Sequence, residues 1–244
     1  EKPSRKTTGQ NTFWFRDPVE NTNANPLTVP FFAKLSLDCQ HIFTTHDRRL
    51  VVYPCHRGKL LHIVAIHPSK DIGLESEWSK LAGGKLEVLF SRYSEFSPEI
   101  IEMCSLAEDV KQWSLATRDS PSSSTLEKKV LVGNAAHPML PCQGQGGAQS
   151  LGDGAALGAL FPADTTAEQV PRRLGLYNKL RYGRTVTIMV MSIDNSKKRG
   201  EIEEDLRKFV PDTKLPRDAF QYAGDSHIVR GAQPMLSREW DGRL

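Results

Sequence analysis

Between Lys129 and Phe161 the chain reads KVLVGNAAHPMLPCQGQGGAQSLGDGAALGALF, a run of residue types that could cradle a negatively charged or electron-rich ligand. Val130, Leu131 and Val132 have the pattern of a short buried strand, which stops at Gly133, where the missing Cβ lets backbone and ligand approach closely. The run from Pro138 to Gly147 holds two prolines and three glycines, so it is expected to cross the surface as a shaped loop. From Gln149 to Phe161, Leu151, Ala155, Leu157 and Leu160 recur mostly at helical spacing. The amides of Gly146, Gly147, Ala148 and Gln149 are then expected to form an N-terminal turn without carbonyl partners, which favours negative charge.

This segment resembles the second FAD-binding motif of the class A flavoprotein monooxygenases, the FAD-dependent aromatic hydroxylases related to salicylate and p-hydroxybenzoate hydroxylases. The family pattern is approximately LxGDAAHxxxPxxGQGxxxxxEDAxxLAxxL, and GNAAHPMLPCQGQGG keeps Ala135, Ala136, His137, Pro141, Gly144, Gln145 and Gly146 in register. The resemblance implies that the residue after Gly133 bonds a ribityl hydroxyl and that the helix start holds the flavin pyrimidine edge. The FAD contacts carried over are Gly133, Asn134, Ala135, Pro141, Gln145, Gly146, Gly147, Ala148 and Gln149. His137 serves the loop's structure in that pattern, and no residue is assigned a catalytic role. Two departures stand out. Asn134 replaces the family's Asp, so an amide oxygen stands in for a carboxylate acceptor. Gly152 and Gly154 flank Asp153 where the family has a glutamate and a small helix former, and each glycine weakens a helix by roughly 1 kcal/mol relative to Ala.

A second stretch supports the likeness. Leu50 to Tyr53 and Leu60 to Ile66 are β-rich runs joined across Pro54 to Lys59, which reads as an antiparallel hairpin. RRLVVYPCHRGKLLHIVAI resembles the YPxRxGxxxNxVA-like substrate-domain strands of the salicylate-hydroxylase branch, with Tyr53, Pro54, Arg57, Gly58 and Ala65 recognisable. Tyr53 and Arg57 are the substrate contacts that this likeness suggests. Further along, helices are expected over Gly84 to Tyr93 and over Pro98 to Leu106, the latter with Ser97 as N-cap, and a strand over Val110 to Leu115. Thr166-Ala167-Glu168-Gln169 has capping-box spacing ahead of a long amphipathic run to about Ile193. Within it Leu174, Tyr177, Leu180, Arg181 and Arg184 resemble the LxxYxxxRxxR stretch of the family's long C-terminal helix, and their simplest roles are packing and surface charge. Lys197 to Lys208 reads as a charged helix with a solvated face, and the sequence after Pro211 as loop.

The fold expected is mixed α/β: a partial FAD-binding domain of the p-hydroxybenzoate hydroxylase type with a mixed-sheet substrate domain. Residues 1–30 read as a polar, poorly ordered segment, 31–119 as substrate-domain strands and helices, 120–195 as the C-terminal part of the FAD-binding domain, and 196–244 as a helix with a loop-rich tail. No GxGxxG turn is present to take a pyrophosphate, because Gln149 stands where the third glycine of GQGGAQ should be. The chain therefore reads as the C-terminal part of a longer protein, or one that needs a partner chain.

By resemblance, the activity implied is that of an FAD-dependent monooxygenase using NAD(P)H and O2 to hydroxylate an aromatic or polyketide-like small molecule, here as a fragment or truncated form. The alternative is a non-catalytic truncated relic of such an enzyme. With Lys+Arg at 32 and Asp+Glu at 29, the formal charge of +3 is too small to argue for nucleic acid or an anionic membrane. The absence of an apolar run of 18 or more residues leaves no membrane segment in the chain, and four widely spaced cysteines suit reduced thiols, so a soluble intracellular, cytoplasmic protein is expected. Cys39, His41, His46, Cys55, His56, His62 and His67 could suggest zinc, but no CxxC or HExxH spacing is present. His62 alternates with Leu61 and Ile63, which points its ring to solvent or a polar neighbour. Ser150 lacks a GxSxG elbow, and Gly83-Gly84-Lys85 lacks the rest of a P-loop.

Overall fold

The computed structural model describes residues 5–36, 38–69, 93–193, 198–224 and 227–240. They divide into two compact units, Thr7–Leu115 and Ala116–Leu244, the latter joined by the chain's first residues up to Lys6.

The 7–115 unit is built on a five-stranded sheet. Its strands are β1 (Lys6–Pro18), β2 (His41–Thr44), β3 (Arg49–Cys55), β4 (Leu60–Pro68) and β5 (Glu108–Thr117), in the order β2-β3-β4-β1-β5. The β3–β4 hairpin forms as expected, and both β1–β4 and β2–β3 are antiparallel. Register explains the core. Phe13 pairs with Ala65 and Ala65 with Leu50, while Phe15 pairs with Ile63 and Ile63 with Val52. Because successive strand residues alternate between faces, these rows place Phe13, Phe15, Leu50, Val52, Ile63 and Ala65 in one buried layer. Tyr93, Phe96 and Phe32 pack on that layer, as do Ile100, Met103 and Cys104 from the helix Pro98–Ser105.

One expectation fails at the start of the chain. Residues 1–30 read as poorly ordered because the stretch is polar and rich in Thr, Asn and Pro, yet β1 runs between β4 and β5 with Phe13 and Phe15 at 1% exposure. Two phenylalanines two residues apart are enough to define a buried face, and Asn11 and Thr12, both buried, take their place in the ladder with β4. The helix expected over Gly84 to Tyr93 lies outside the described residues except for Tyr93.

The 116–244 unit is mainly helical. A two-stranded ladder of β6 (Thr125–Leu126) and β7 (Lys129–Val130) precedes the helices α4 (Gln145–Leu160), α5 (Val170–Ile193), α6 (Arg199–Arg207), α7 (Ala219–Gly224) and α8 (Ile228–Trp240), the helices Val19–Ala24, Val29–Phe32 and Pro98–Ser105 being α1 to α3. One half of the capping box forms, the Thr166 amide donating to Gln169 Oε1 at 3.0 Å just ahead of α5, while the Gln169 amide donates to the Thr166 carbonyl at 3.1 Å. The buried strand expected at Val130 to Val132 shrinks to β7, and Leu131 and Val132 are each 41% exposed. Its only ladder partner among the described residues is β6, so one face of the apolar run finds no cover.

The tail beyond Pro211 also departs from expectation, since α7 and α8 occupy most of it. α8 carries Pro234 in its interior, where a proline ordinarily kinks or breaks a helix. Small residues decide the matter. Ala232 is fully buried in a cluster with Ala156, Leu160, Leu176 and Tyr177, and a Cβ on Gly231 would stand 3.0 Å from Leu180 Cδ1. Close packing of α8 against α4 and α5 thus supplies the burial that offsets the proline.

Candidate flavin-holding turn

The turn begins with Gly133, whose φ of +56° is a left-handed conformation that glycine adopts without strain. A Cβ there would also stand 2.9 Å from Ser150 Oγ. Residues Gly133–Ala135 form a 3-10 turn, with the Ala136 and His137 amides both donating to the Gly133 carbonyl at 2.9 Å. The chain then passes through Leu140, only 2% exposed, and a second 3-10 turn, Pro141–Gln143. Two bonds hold this loop to the end of α5: the Leu140 amide donates to Ser192 Oγ at 3.1 Å, and Gln143 Nε2 to the Met191 carbonyl at 2.9 Å. Gly144, at φ 62° and ψ 16°, turns the chain into α4. The region from Pro138 is therefore less of a free loop than its composition suggests, and the helix starts four residues before Gln149.

That earlier start changes which amides are open. The Gly144 amide donates to the Pro141 carbonyl at 3.1 Å. By helix geometry Gln145, Gly146 and Gly147 are the next three without an in-helix acceptor, whereas Ala148 and Gln149 bond within α4. No side chain caps them. The space beside them suits a ligand: a Cβ built on Gly147 meets nothing within 4 Å, and one on Gly146 meets only Asn134 Oδ1, at 4.0 Å. Asn134, Ala135, Gly147 and Ala148 are exposed, and Pro141, Gln145 and Gly146 half-buried. Gln149 differs, being 4% exposed with its side chain turned inward. The buried stripe of α4 is Gln149, Gly152, Asp153, Ala156 and Leu160, while Leu151 is 79% exposed and Ala155 also faces out. The expected apolar face was rotated, because the true one contains two polar residues.

Those polar residues anchor the turn. Asp153, 1% exposed, accepts from the Gly133 amide at 2.8 Å and from His137 Nε2 at 2.7 Å through Oδ2, and from Arg181 Nε at 2.9 Å through Oδ1. Arg181, also 1% exposed, donates through Nη2 to the Gln149 carbonyl at 2.9 Å and to Gln149 Oε1 at 3.1 Å. Burial pushes the Asp153 carboxyl up, but the bonds from His137, the Gly133 amide and Arg181 outweigh it and hold the pKa down at about 2. One carboxylate thus ties the 3-10 turn, α4 and α5 together.

Arg181 was read as packing or surface charge, and the structure corrects this to a buried ion pair. Leu174 and Tyr177 do pack in the interior. Arg184 lies over the Tyr222 ring, 4.7 Å from its centroid, and donates to the Ala223 carbonyl at 3.1 Å. Sequence reasoning missed Asp153 as an anchor. The available signal was Arg181 itself, which has no acidic residue three or four positions away on its helix and so needs a distant partner.

The glycine departures also have a structural place. A Cβ on Gly152 would stand 2.8 Å from Ile228 Cδ1 and 3.0 Å from Arg181 Nη2, so a glutamate there is incompatible with α8 where it lies. Gly154 has open space around it. Tyr53 and Arg57 belong to the 7–115 unit. Arg57 is exposed at the β3–β4 turn, with φ +60°, and Tyr53 is half-buried with its hydroxyl bonded to His62 Nδ1. Among the described residues no group of three or more His, Cys, Asp or Glu could hold a metal, and no helix is long and apolar enough to cross a membrane.

No protein-family model matches the chain. Hispidin-3-hydroxylase of Neonothopanus nambi is 31% identical over 149 residues, 61% of this chain and 35% of that protein. The FAD-dependent monooxygenase cfoG of Aspergillus candidus is 29% identical over 171 residues, 69% of this chain and 39% of that protein. The chain is a homologue of FAD-dependent monooxygenases. Its fold is theirs as well: a salicylate hydroxylase substrate complex superposes with a TM-score of 0.66 at 18% identity, covering 96% of this chain and 58% of the other. The mixed α/β architecture expected from the motifs is the fold found. This monooxygenase homologue spans between a third and two fifths of the curated relatives' length, 35% of one and 39% of the other.

Proposed function

We propose that this chain forms the flavin-edge half of an FAD-dependent monooxygenase that uses NAD(P)H and O2 to hydroxylate an aromatic or polyketide-like small molecule. The observation that carries the reading is the bare start of α4, where three open amides and two glycines face the space beside Asn134. Residues 120–195 supply the C-terminal part of the FAD-binding domain. Gln145, Gly146 and Gly147 would donate to the electron-rich pyrimidine edge, Asn134 would accept from a ribityl hydroxyl, and Ala135 and Pro141 would shape the wall. When bound, FAD supplies the redox chemistry and the reaction with O2, with NAD(P)H as reductant. The chain's own contribution is to orient the ring through the helix start and to favour, with the amide dipoles, the negative charge that a reduced flavin carries. Tyr53 and Arg57 are substrate contacts in this reading.

The alternative, a non-catalytic relic, takes Asn134, Gly152 and the absent dinucleotide unit as signs of decay; of these, Gly152 has a packing place, where α8 and Arg181 lie against α4. Titration of the 244-residue chain with FAD, read by flavin fluorescence and visible spectrum, tests the proposal. Saturable binding with a shifted spectrum is expected. An unperturbed spectrum at high FAD would overturn a working half-site.

A further inference from the structure

Strand β1 ends in a carboxyl group set into the core of the 7–115 unit. Alternation along β1 puts Asp17 on the same face as Phe13 and Phe15, and its side chain is fully buried, with Leu61 of β4 as its register partner. Thr22 Oγ1, on α1, donates to Asp17 Oδ2 at 2.5 Å, whereas Asp17 Oδ1 is buried with no hydrogen-bond partner among the described residues. The titratable groups that bear on it are Glu108 of β5, whose charge repels its own, and the buried Cys104 thiol of α3. No cation offsets them. Arg16 points to the opposite face and is bonded to Asp109 at 2.9 Å, Glu102 of α3 accepts from Asn25 Nδ2 at 2.7 Å, and Glu20 and Lys59 are exposed.

The bond to Thr22 also fastens the segment that follows β1. Helices α1 and α2, six and four residues long, are too short to hold themselves, and neither has a side-chain cap. What fixes them is buried. Thr22 and Thr28 are 1% and 0% exposed, and Thr28 Oγ1 donates to the Thr22 carbonyl at 2.5 Å and to the Asn25 carbonyl at 3.2 Å. Beyond them Phe32 enters the core, with Val19, Phe31 and Leu35 packed against it. We infer that residues 19–35 form a pH-sensitive strap, held on the sheet while Asp17 carries a proton and released when the carboxyl ionises. A buried carboxylate with one bonded oxygen, one bare oxygen and an acidic neighbour is costly, and opening the strap brings water to it. Burial raises the Asp17 pKa to about 6, from 3.8 for the exposed group, with the Thr22 bond opposing and Glu108 adding to the rise. Closure is therefore favoured in full below about pH 4, and that advantage is lost as pH rises through 6. From end to end the difference is about a hundredfold in the opening equilibrium, of which about tenfold falls between pH 5 and pH 7.5. The inference stands apart from the monooxygenase reading.

Hydrogen–deuterium exchange of the full chain across pH 5 to pH 7.5, read by mass spectrometry and corrected for the intrinsic pH dependence of exchange, tests this. The amides of Phe31, Phe32 and Ala33, which donate to the Thr28 and Val29 carbonyls, report on the strap. Their protection is expected to fall about tenfold over that range, while the ladder amides of the β3–β4 hairpin keep theirs. Asp17→Asn cannot ionise and is expected to hold strap protection level. Glu108→Gln, at an exposed position, removes the repulsion and is expected to move the transition to lower pH, which keeps the test decisive if Asp17→Asn fails to fold. Equal strap protection at the two ends of the range in the parent would overturn the inference. So would a change that persists in Asp17→Asn, a transition unmoved in Glu108→Gln, or a loss of protection shared equally by the hairpin, which would mean unfolding of the whole unit rather than release of the strap.

Discussion

Replacing Asp153 by Asn removes one charge and little volume, and the structure sets what should follow. The carboxylate accepts from three donors, the Gly133 amide, His137 Nε2 and Arg181 Nε. An asparagine has one acceptor oxygen, so either Arg181 or the Gly133 and His137 pair must face an NH2 group. The larger loss is electrostatic. Arg181 is 1% exposed, and losing its counter-charge strands a buried guanidinium, a change that costs about 3–5 kcal/mol. Against a typical domain stability of about 5–15 kcal/mol this is a large fraction, and a melting temperature lowered by about 10 °C or more is expected. Circular dichroism melts of the parent, Asp153→Asn, Arg181→Met and the double variant supply the assay. If stranded charge is the cause, the double variant should be less destabilised than the two single losses added together. FAD affinity of the folded Asp153→Asn protein should also fall, because the Gly133 turn loses its anchor. The pH dependence has a definite sign. A folded pKa near 2, below the unfolded value near 3.8, means that the stabilisation is present above about pH 4 and is lost as pH falls toward 2. Asp153→Asn should lack that acid-side loss. A variant that melts with the parent, binds FAD equally and keeps the same acid profile would refute the anchoring role.

Other expectations follow from single positions. Gly154→Ala should stabilise by about 0.5–1 kcal/mol through helix propensity, whereas Gly152→Ala on the same helix should destabilise by about 1–2 kcal/mol because its Cβ would press on Arg181 and Ile228; paired denaturant titrations decide between them. Asn134→Asp should tighten FAD about tenfold by restoring a charged acceptor, and an unchanged Kd in fluorescence titration would remove Asn134 from the site. Asp17, fully buried, has its pKa raised to about 6, chiefly by burial, against the bond from Thr22, with Glu108 adding repulsion. Here the folded pKa exceeds the unfolded one, so stability is greatest below about pH 4 and falls as pH rises through 6. Asp17→Asn should remove that loss, gaining at most about 3 kcal/mol at pH 8 in urea unfolding.

What could be read from residues alone followed the range of the interactions. The β3–β4 hairpin, the helix after Ser97 and the capping box before α5 are local patterns, and each formed within a few residues of its expected place. The turn from Gly133 to Gly144 was legible as a turn because its glycines and prolines act on their own backbone. Long-range pairing was not legible. Asp153 and Arg181 are separated by 28 positions, so neither an i,i+4 rule nor composition joins them. Strand β1 was hidden by polar residues whose backbone is satisfied by β4, a partner about fifty residues away. Helix α8 was hidden by Pro234, and the small residues Gly231 and Ala232 that compensate make sense only once α5 and α4 lie beside them.

The central claim is that the Gly133 turn and the start of α4 hold the isoalloxazine end of a flavin. Competitive titration of the chain with FAD, FMN and ADP, followed by flavin fluorescence, tests it most directly. Similar affinities for FAD and FMN, with ADP unable to displace either, are predicted, since on the proposed reading the open amides of Gln145 to Gly147 would face the ring edge and the sequence has no GxGxxG turn for a pyrophosphate. Displacement of FAD by ADP, or binding of FAD without FMN, would place the contacts at the adenosine end and contradict the account.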